Sequence, residues 1–171
     1  FYSKFAPYIK ELAAYIRKCA PASKLILQQT WAYEQVQIKE TLIERFERVY
    51  SSSQREMYTR LCDAYEMASK LISAPLIPVG KVIQRLRDSV PEFDFQATGR
   101  SLNRDGYHLD LIYGRFAAAL TWYGTLTGRD VRQVGFVPFV DERQGERKLL
   151  DIIKNTVYDV LEEEKAAQAA E

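Results

Sequence analysis

Two short apolar runs set between long helical patterns constrain this chain more than any other feature. "KLILQQTW" (24–31) and "PLIPV" (75–79) have strand length, and turn-forming residues flank them. Prolines suit the ends of a strand, where no ladder donor is needed. The segments around these runs carry helical spacing. Phe1, Phe5, Tyr8, Ile9, Leu12, Ile16 and Cys19 recur along a first helix, which Pro21 ends. "SSSQ" (51–54) supplies the N-cap of a second, marked by Met57, Leu61, Ala64, Tyr65, Ala68, Leu71 and Ile72. Gly80 turns the chain into a third, with Val82, Ile83, Leu86 and Val90. Leu109, Ile112, Phe116, Leu120 and Tyr123 stripe a fourth, closed by Gly128. Leu149, Leu150, Ile153, Val157 and Leu161 stripe a fifth, from about residue 141. Residues 34 to 50 read as helix or long loop, 91 to 104 as loop, and 162 to 171 as a fraying helical tail whose glutamates face solvent.

Helices alternating with buried strands predict an α/β layer fold built on a parallel sheet. The count is uneven, because two short parallel strands leave unpaired backbone on both edges and little surface for five helices to cover. The expectation is that further strands precede Phe1, which agrees with a chain that does not open on Met. A signal peptide ahead of Phe1 would place the protein in the periplasm or outside the cell, and the sequence leaves that open. With no repeat and no linker, the 171 residues form one domain or part of one.

Composition narrows the partners. The net charge is +1 and no run of Lys and Arg forms a basic stripe, so a nucleic-acid partner has no electrostatic footprint. No stretch of 18 apolar residues exists to span a bilayer. Cys19 and Cys62 fall among apolar helical positions and read as buried thiols, a disulfide between them remaining open. With one histidine and no cysteine cluster, neither a metal site nor another cofactor is expected.

That histidine, His108, follows Asp105 by three residues in "RDGYHLD" (104–110). A histidine acting as general base needs one ring nitrogen free for the nucleophile and an acceptor for the proton on the other. A single turn, eased by Gly106, would bring Asp105 to that second nitrogen and stand His108 at a helix start, above the strand ends where α/β folds bind ligands. Spacing alone equally allows Asp105 to cap the helix, with His108 as an ordinary surface residue.

"DGYHLD" with "GRFAAALTWYGTLTG" (114–128), "LQQTWAYEQ" (27–35) and "IPVGKVIQRLR" (77–87) resemble, in order and spacing, three blocks of the SGNH (GDSL-type) hydrolases. More narrowly, they resemble an uncharacterised branch found in Bacteroidetes-type bacteria. The resemblance covers residues 1 to 128 and implies a three-layer α/β/α sandwich and a serine esterase. Asp105 would orient the base, His108. The family's serine and its oxyanion glycine and asparagine match nothing here. Ser3, Ser51, Ser52, Ser53, Ser73 and Ser101 all lack a strand-to-helix elbow. The expectation is therefore the C-terminal part of a hydrolase acting on an acylated carbohydrate or small ester, inactive without its serine.

Trp31 and Tyr33 follow the first strand and offer an aromatic platform for a sugar or acyl group, or simple packing. Gln28 and Gln29 could reach the same cleft, although one of them is expected to be satisfied within the sheet layer. Arg104 and Arg115 flank the Asp-His segment and could pair with an acidic substrate group or with a nearby carboxylate. Two other functions stay open: a non-catalytic carbohydrate-binding module using Trp31 and Tyr33, and an interaction scaffold. The sequence does not set the oligomeric state.

Overall fold

The computed structural model describes residues 5–34, 53–140 and 143–169. The chain runs through α1 (Ala6–Cys19), β1 (Leu27–Gln28), α2 (Gln54–Ile72), β2 (Leu76–Ile77) and α3 (Val79–Ser89). A 3-10 turn at Pro91–Phe93 and the one-turn α4 (Phe95–Thr98) lead to α5 (Tyr113–Thr127). A second 3-10 turn at Val131–Gln133 and a small hairpin of β3 (Phe139–Val140) and β4 (Arg143–Gln144) precede α6 (Arg147–Ala169). Most of the segment from 34 to 50, read from sequence as helix or loop, lies outside the described residues.

β1 and β2 pair in parallel, Leu27 opposite Leu76 and Gln28 opposite Ile77. The fold is thus mixed α/β, helix-rich, with a small two-stranded parallel sheet. Both strands are shorter than the apolar runs predict. Pro75 has no N–H to carry the ladder back beyond Leu27, and the other end stops where the Gln29 carbonyl is taken by α3. On β1, the Leu27 N–H reaches the Pro75 carbonyl at 2.9 Å and the Gln29 N–H the Ile77 carbonyl at 3.0 Å. Gln29 then turns to α3: its carbonyl accepts from Gly80 at 3.3 Å and its side chain from the Lys81 N–H at 3.1 Å. This close approach needs a glycine, because a Cβ at Gly80 would lie 2.1 Å from the Thr30 carbonyl oxygen.

Two apolar clusters meet the sheet. The larger joins Ile77 of β2 to Val82, Ile83 and Leu86 of α3, Phe116 and Leu120 of α5, and Leu149, Ile153 and Val157 of α6. The smaller joins Ile9 and Ala13 of α1 to Ala68 and Ile72 of α2, with Leu27 of β1 against it. α1 therefore buries a narrower stripe than its sequence suggests: Phe5, Tyr8 and Leu12 are exposed. Cys19 is also exposed and Cys62 half-buried, both as free thiols, so the expected pair of buried thiols holds for neither in full.

α2 starts as expected, with the Ser53 hydroxyl accepting from the Glu56 N–H at 3.1 Å. α6 does not fray at residue 162. Its helix continues to Ala169, and Glu163 and Glu164 hold Arg85 and Lys81 of α3, each at 2.7 Å.

Candidate functional site

Residues 102–110 form a tight hairpin rather than the first turns of a helix. The Asp110 N–H donates to Leu102 and the Arg104 N–H to the His108 carbonyl, each at 2.9 Å, and Asn103 bridges Leu109 in antiparallel fashion. Gly106 turns the tip with a φ of 83°, a left-handed conformation that glycine adopts without steric cost. α5 begins only at Tyr113, so His108 lies on the returning arm of the hairpin and not at a helix start. The helix cap comes from another carboxylate. Asp110 accepts from the N–H groups of Ile112 (2.8 Å), Tyr113 (3.0 Å) and Gly114 (2.7 Å). Gly114 lets the helix approach closely, since a Cβ there would sit 2.4 Å from the Leu102 carbonyl oxygen.

Asp105 is thereby left to its own loop. Its Oδ1 accepts from the backbone N–H of His108 at 2.8 Å and of Tyr107 at 3.1 Å, and its Oδ2 lies 2.8 Å from His108 Nδ1. The His108 N–H, the His108 ring and the Tyr107 N–H hold the carboxyl well below the usual carboxylate range. A carboxylate only accepts, so the neutral ring must carry its proton on Nδ1. Nε2 is then an acceptor, with no partner among the described residues, on a side chain 67% exposed. This is the electronic arrangement a general base requires.

The remaining predicted residues serve the loop and the core. The Trp31 indole N–H donates to the Tyr107 carbonyl at 2.7 Å, and the Tyr33 ring meets Tyr107 edge-on with centroids 4.9 Å apart. Gln29 is buried at 1% exposure; it contacts Cys62 Sγ at 3.5 Å besides Lys81, which places it in the sheet layer. Gln28 accepts from the Trp122 indole at 2.7 Å. Arg104 approaches Asp105 at 3.9 Å, and Arg115 has no ion pair among the described residues. Ser101 donates to Glu34, Ser69 to the Ala74 carbonyl and Ser89 to the Arg85 carbonyl. No hydroxyl among the described residues bonds to His108 Nε2.

Sequence reasoning missed the polar layer beneath the hairpin. Arg87 of α3 donates to the Ala32 carbonyl at 2.8 Å and to Asn103 Oδ1, while Asn103 Nδ2 donates to the Tyr107 carbonyl at 2.9 Å. Glu34, nearly buried, accepts from Ser101, and its N–H bonds the Gly106 carbonyl at 3.0 Å. One signal was available: Arg87 sits four residues after Ile83, on the apolar stripe of α3. A separate apolar cavity of about 570 Å³ opens between α5 and residues 134–139, lined by Ile112, Phe116, Leu120, Tyr123, Phe136 and Phe139 among others. Arg115 lines it, whereas Asp105, His108, Trp31, Tyr33 and Gln29 do not.

A family model described as a domain of unknown function, DUF4886, matches residues 2–160. The chain belongs to the DUF4886 family. The crystal structure of a DUF4886 family protein from Bacteroides uniformis ATCC 8492 is 31% identical to it, with a TM-score of 0.70. The match covers 90% of this chain and 54% of that one, so the chain spans about half the length of its solved DUF4886 relative. No curated protein matches. These findings correct the resemblance drawn from the three sequence blocks. All three lie inside the DUF4886 match, and neither comparison points to an SGNH hydrolase.

Proposed function

We propose that this DUF4886 chain contributes the aspartate–histidine half of a serine-type ester hydrolase. The observation that carries this reading is an exposed imidazole whose Nδ1 is held at 2.8 Å by a loop-fixed carboxylate, leaving Nε2 free. This reading takes its serine from outside the described residues, and the greater length of the solved DUF4886 relative leaves room for one. The parallel pair of strands is then part of a wider sheet in a three-layer α/β/α sandwich.

The chemistry follows from the geometry. Nε2 takes the serine proton as the serine oxygen bonds to the ester carbonyl carbon, and the imidazolium returns that proton to the leaving alcohol. Water then attacks the acyl-enzyme, losing its proton to Nε2, and the serine recovers its own. Asp105 stays ionised throughout and stabilises the imidazolium. Tyr107 and Tyr33, edge to face beside the histidine, offer the aromatic surface that a carbohydrate ester would use. In the full-length protein, His108→Ala should lower turnover of p-nitrophenyl acetate by roughly 10⁴- to 10⁶-fold. Unchanged turnover would remove His108 from the chemistry.

The engaged serine hydroxyls favour one second reading, a carbohydrate-binding module without catalysis. Glycan binding that survives in a full-length protein unable to cleave the ester would select it.

A further inference from the structure

One peptide unit, that between Tyr107 and His108, is clamped from both ends. Its carbonyl accepts from the Trp31 indole at 2.7 Å and the Asn103 amide at 2.9 Å, and its N–H donates to Asp105 Oδ1 at 2.8 Å. The tilt of this plane sets the direction in which the His108 side chain leaves the backbone. It also ties that direction to the carboxylate that holds the ring. Whatever fixes the carbonyl therefore fixes the imidazole.

Asn103 can fix it in only one way. Its side chain sits in a site with 4% residue exposure, between a guanidinium that only donates and a carbonyl that only accepts. The amide oxygen must face Arg87 and the amide nitrogen must face Tyr107. A flip would set donor against donor and acceptor against acceptor without water to relieve either. Arg87 is anchored in turn on the Ala32 carbonyl, one residue past Trp31, so both donors to the Tyr107 carbonyl are referred to the same stretch of chain.

We infer that Asn103, oriented by Arg87, is a positioning residue that holds the His108 imidazole in its Nδ1-protonated, Nε2-free arrangement. Its catalytic consequence rests on the hydrolase reading above; its structural consequence does not.

Asn103→Asp separates the two halves of the contact. The aspartate keeps an acceptor for Arg87 and loses the donor to Tyr107. The measurement is the pair of ¹⁵N ring shifts of His108 in the full-length protein, assigned by their loss in His108→Ala, with thermal melting as a check on folding. Native protein should show the Nδ1–H tautomer, and Asn103→Asp should shift the ring toward the Nε2–H form. Folded Asn103→Asp with native ring shifts would overturn the inference. Should that variant fail to fold, Trp31→Phe removes the other donor and should move the same shifts, native values again overturning it. In ester hydrolysis, Asn103→Asp should lower kcat on the order of 100-fold with KM little changed. A protein with altered ring shifts but no esterase activity in any form would end the hydrolase reading and leave the positioning role standing.

Discussion

Glu34 is an acid placed where its charge is disfavoured. Burial pushes its carboxyl above the ordinary glutamate value, while the Ser101 hydroxyl and the Arg87 guanidinium pull it back. The folded state therefore holds this proton more tightly than the unfolded chain does. The stability so contributed is complete below the unfolded carboxyl value, about pH 4, and is lost as pH rises through the folded one. Glu34→Gln cannot titrate, so the stability of native protein relative to this variant should fall between pH 4 and neutrality, as measured by urea unfolding. A constant difference would mean that Glu34 ionises without cost. Asp105 acts with the opposite sign. Its carboxyl is depressed by the His108 and Tyr107 contacts, and its stabilising contribution fades as pH falls below the ordinary aspartate range. At this scale the Asp105–His108 pair was legible because its two members are three residues apart. The Arg87–Asn103 and Ser101–Glu34 contacts, by contrast, span 16 and 67 residues of sequence, which no local pattern records.

Among the elements, the contact between the end of β1 and the start of α3 is the tightest joint. Gly80 lies under the Thr30 carbonyl, which is backbone and cannot swing aside. Gly80→Ala should therefore destabilise the chain by about 1–3 kcal/mol, read from denaturant midpoints. A neutral result would show that α3 can slide away from β1 freely. The helices themselves were largely legible: the stripes of α3, α5 and α6 bury most of the residues their spacing nominates, while α2 fully buries only Met57, Ala68 and Ile72 of its seven. Boundaries were not. Leu109 falls in helical register with Ile112 and Phe116, yet it is buried from the hairpin and not from α5. Asp110 decides the matter by capping the helix three residues before Tyr113. The strands shortened for a different reason, the missing donor of Pro75 at one end and the capture of the Gln29 carbonyl by Gly80 at the other.

Across the molecule, alternation of helix and strand revealed the mixed α/β character but not how far the sheet extends. Hydrophobic pattern reports burial, and both apolar runs are well covered; it does not report how many backbone partners each strand finds. Of the candidate site, the contact between one carboxylate and one imidazole was legible, and the family to which three blocks were first referred was the wrong one. The anchoring of α6 on α3 through Glu163 and Glu164 was invisible to composition, which marks a glutamate run near a terminus as solvated.

The two tryptophans are fastened at different places, Trp31 to the carbonyl beside His108 and Trp122 to the Gln28 amide on β1. The protein thus contains a natural fluorophore at its 102–110 hairpin and a second at its sheet. With Trp122→Phe, emission comes from Trp31 alone among the two indoles. In a urea titration its spectrum should shift at a lower denaturant concentration than the helical circular dichroism. Coincident transitions would show that the loop opens only when the whole chain does.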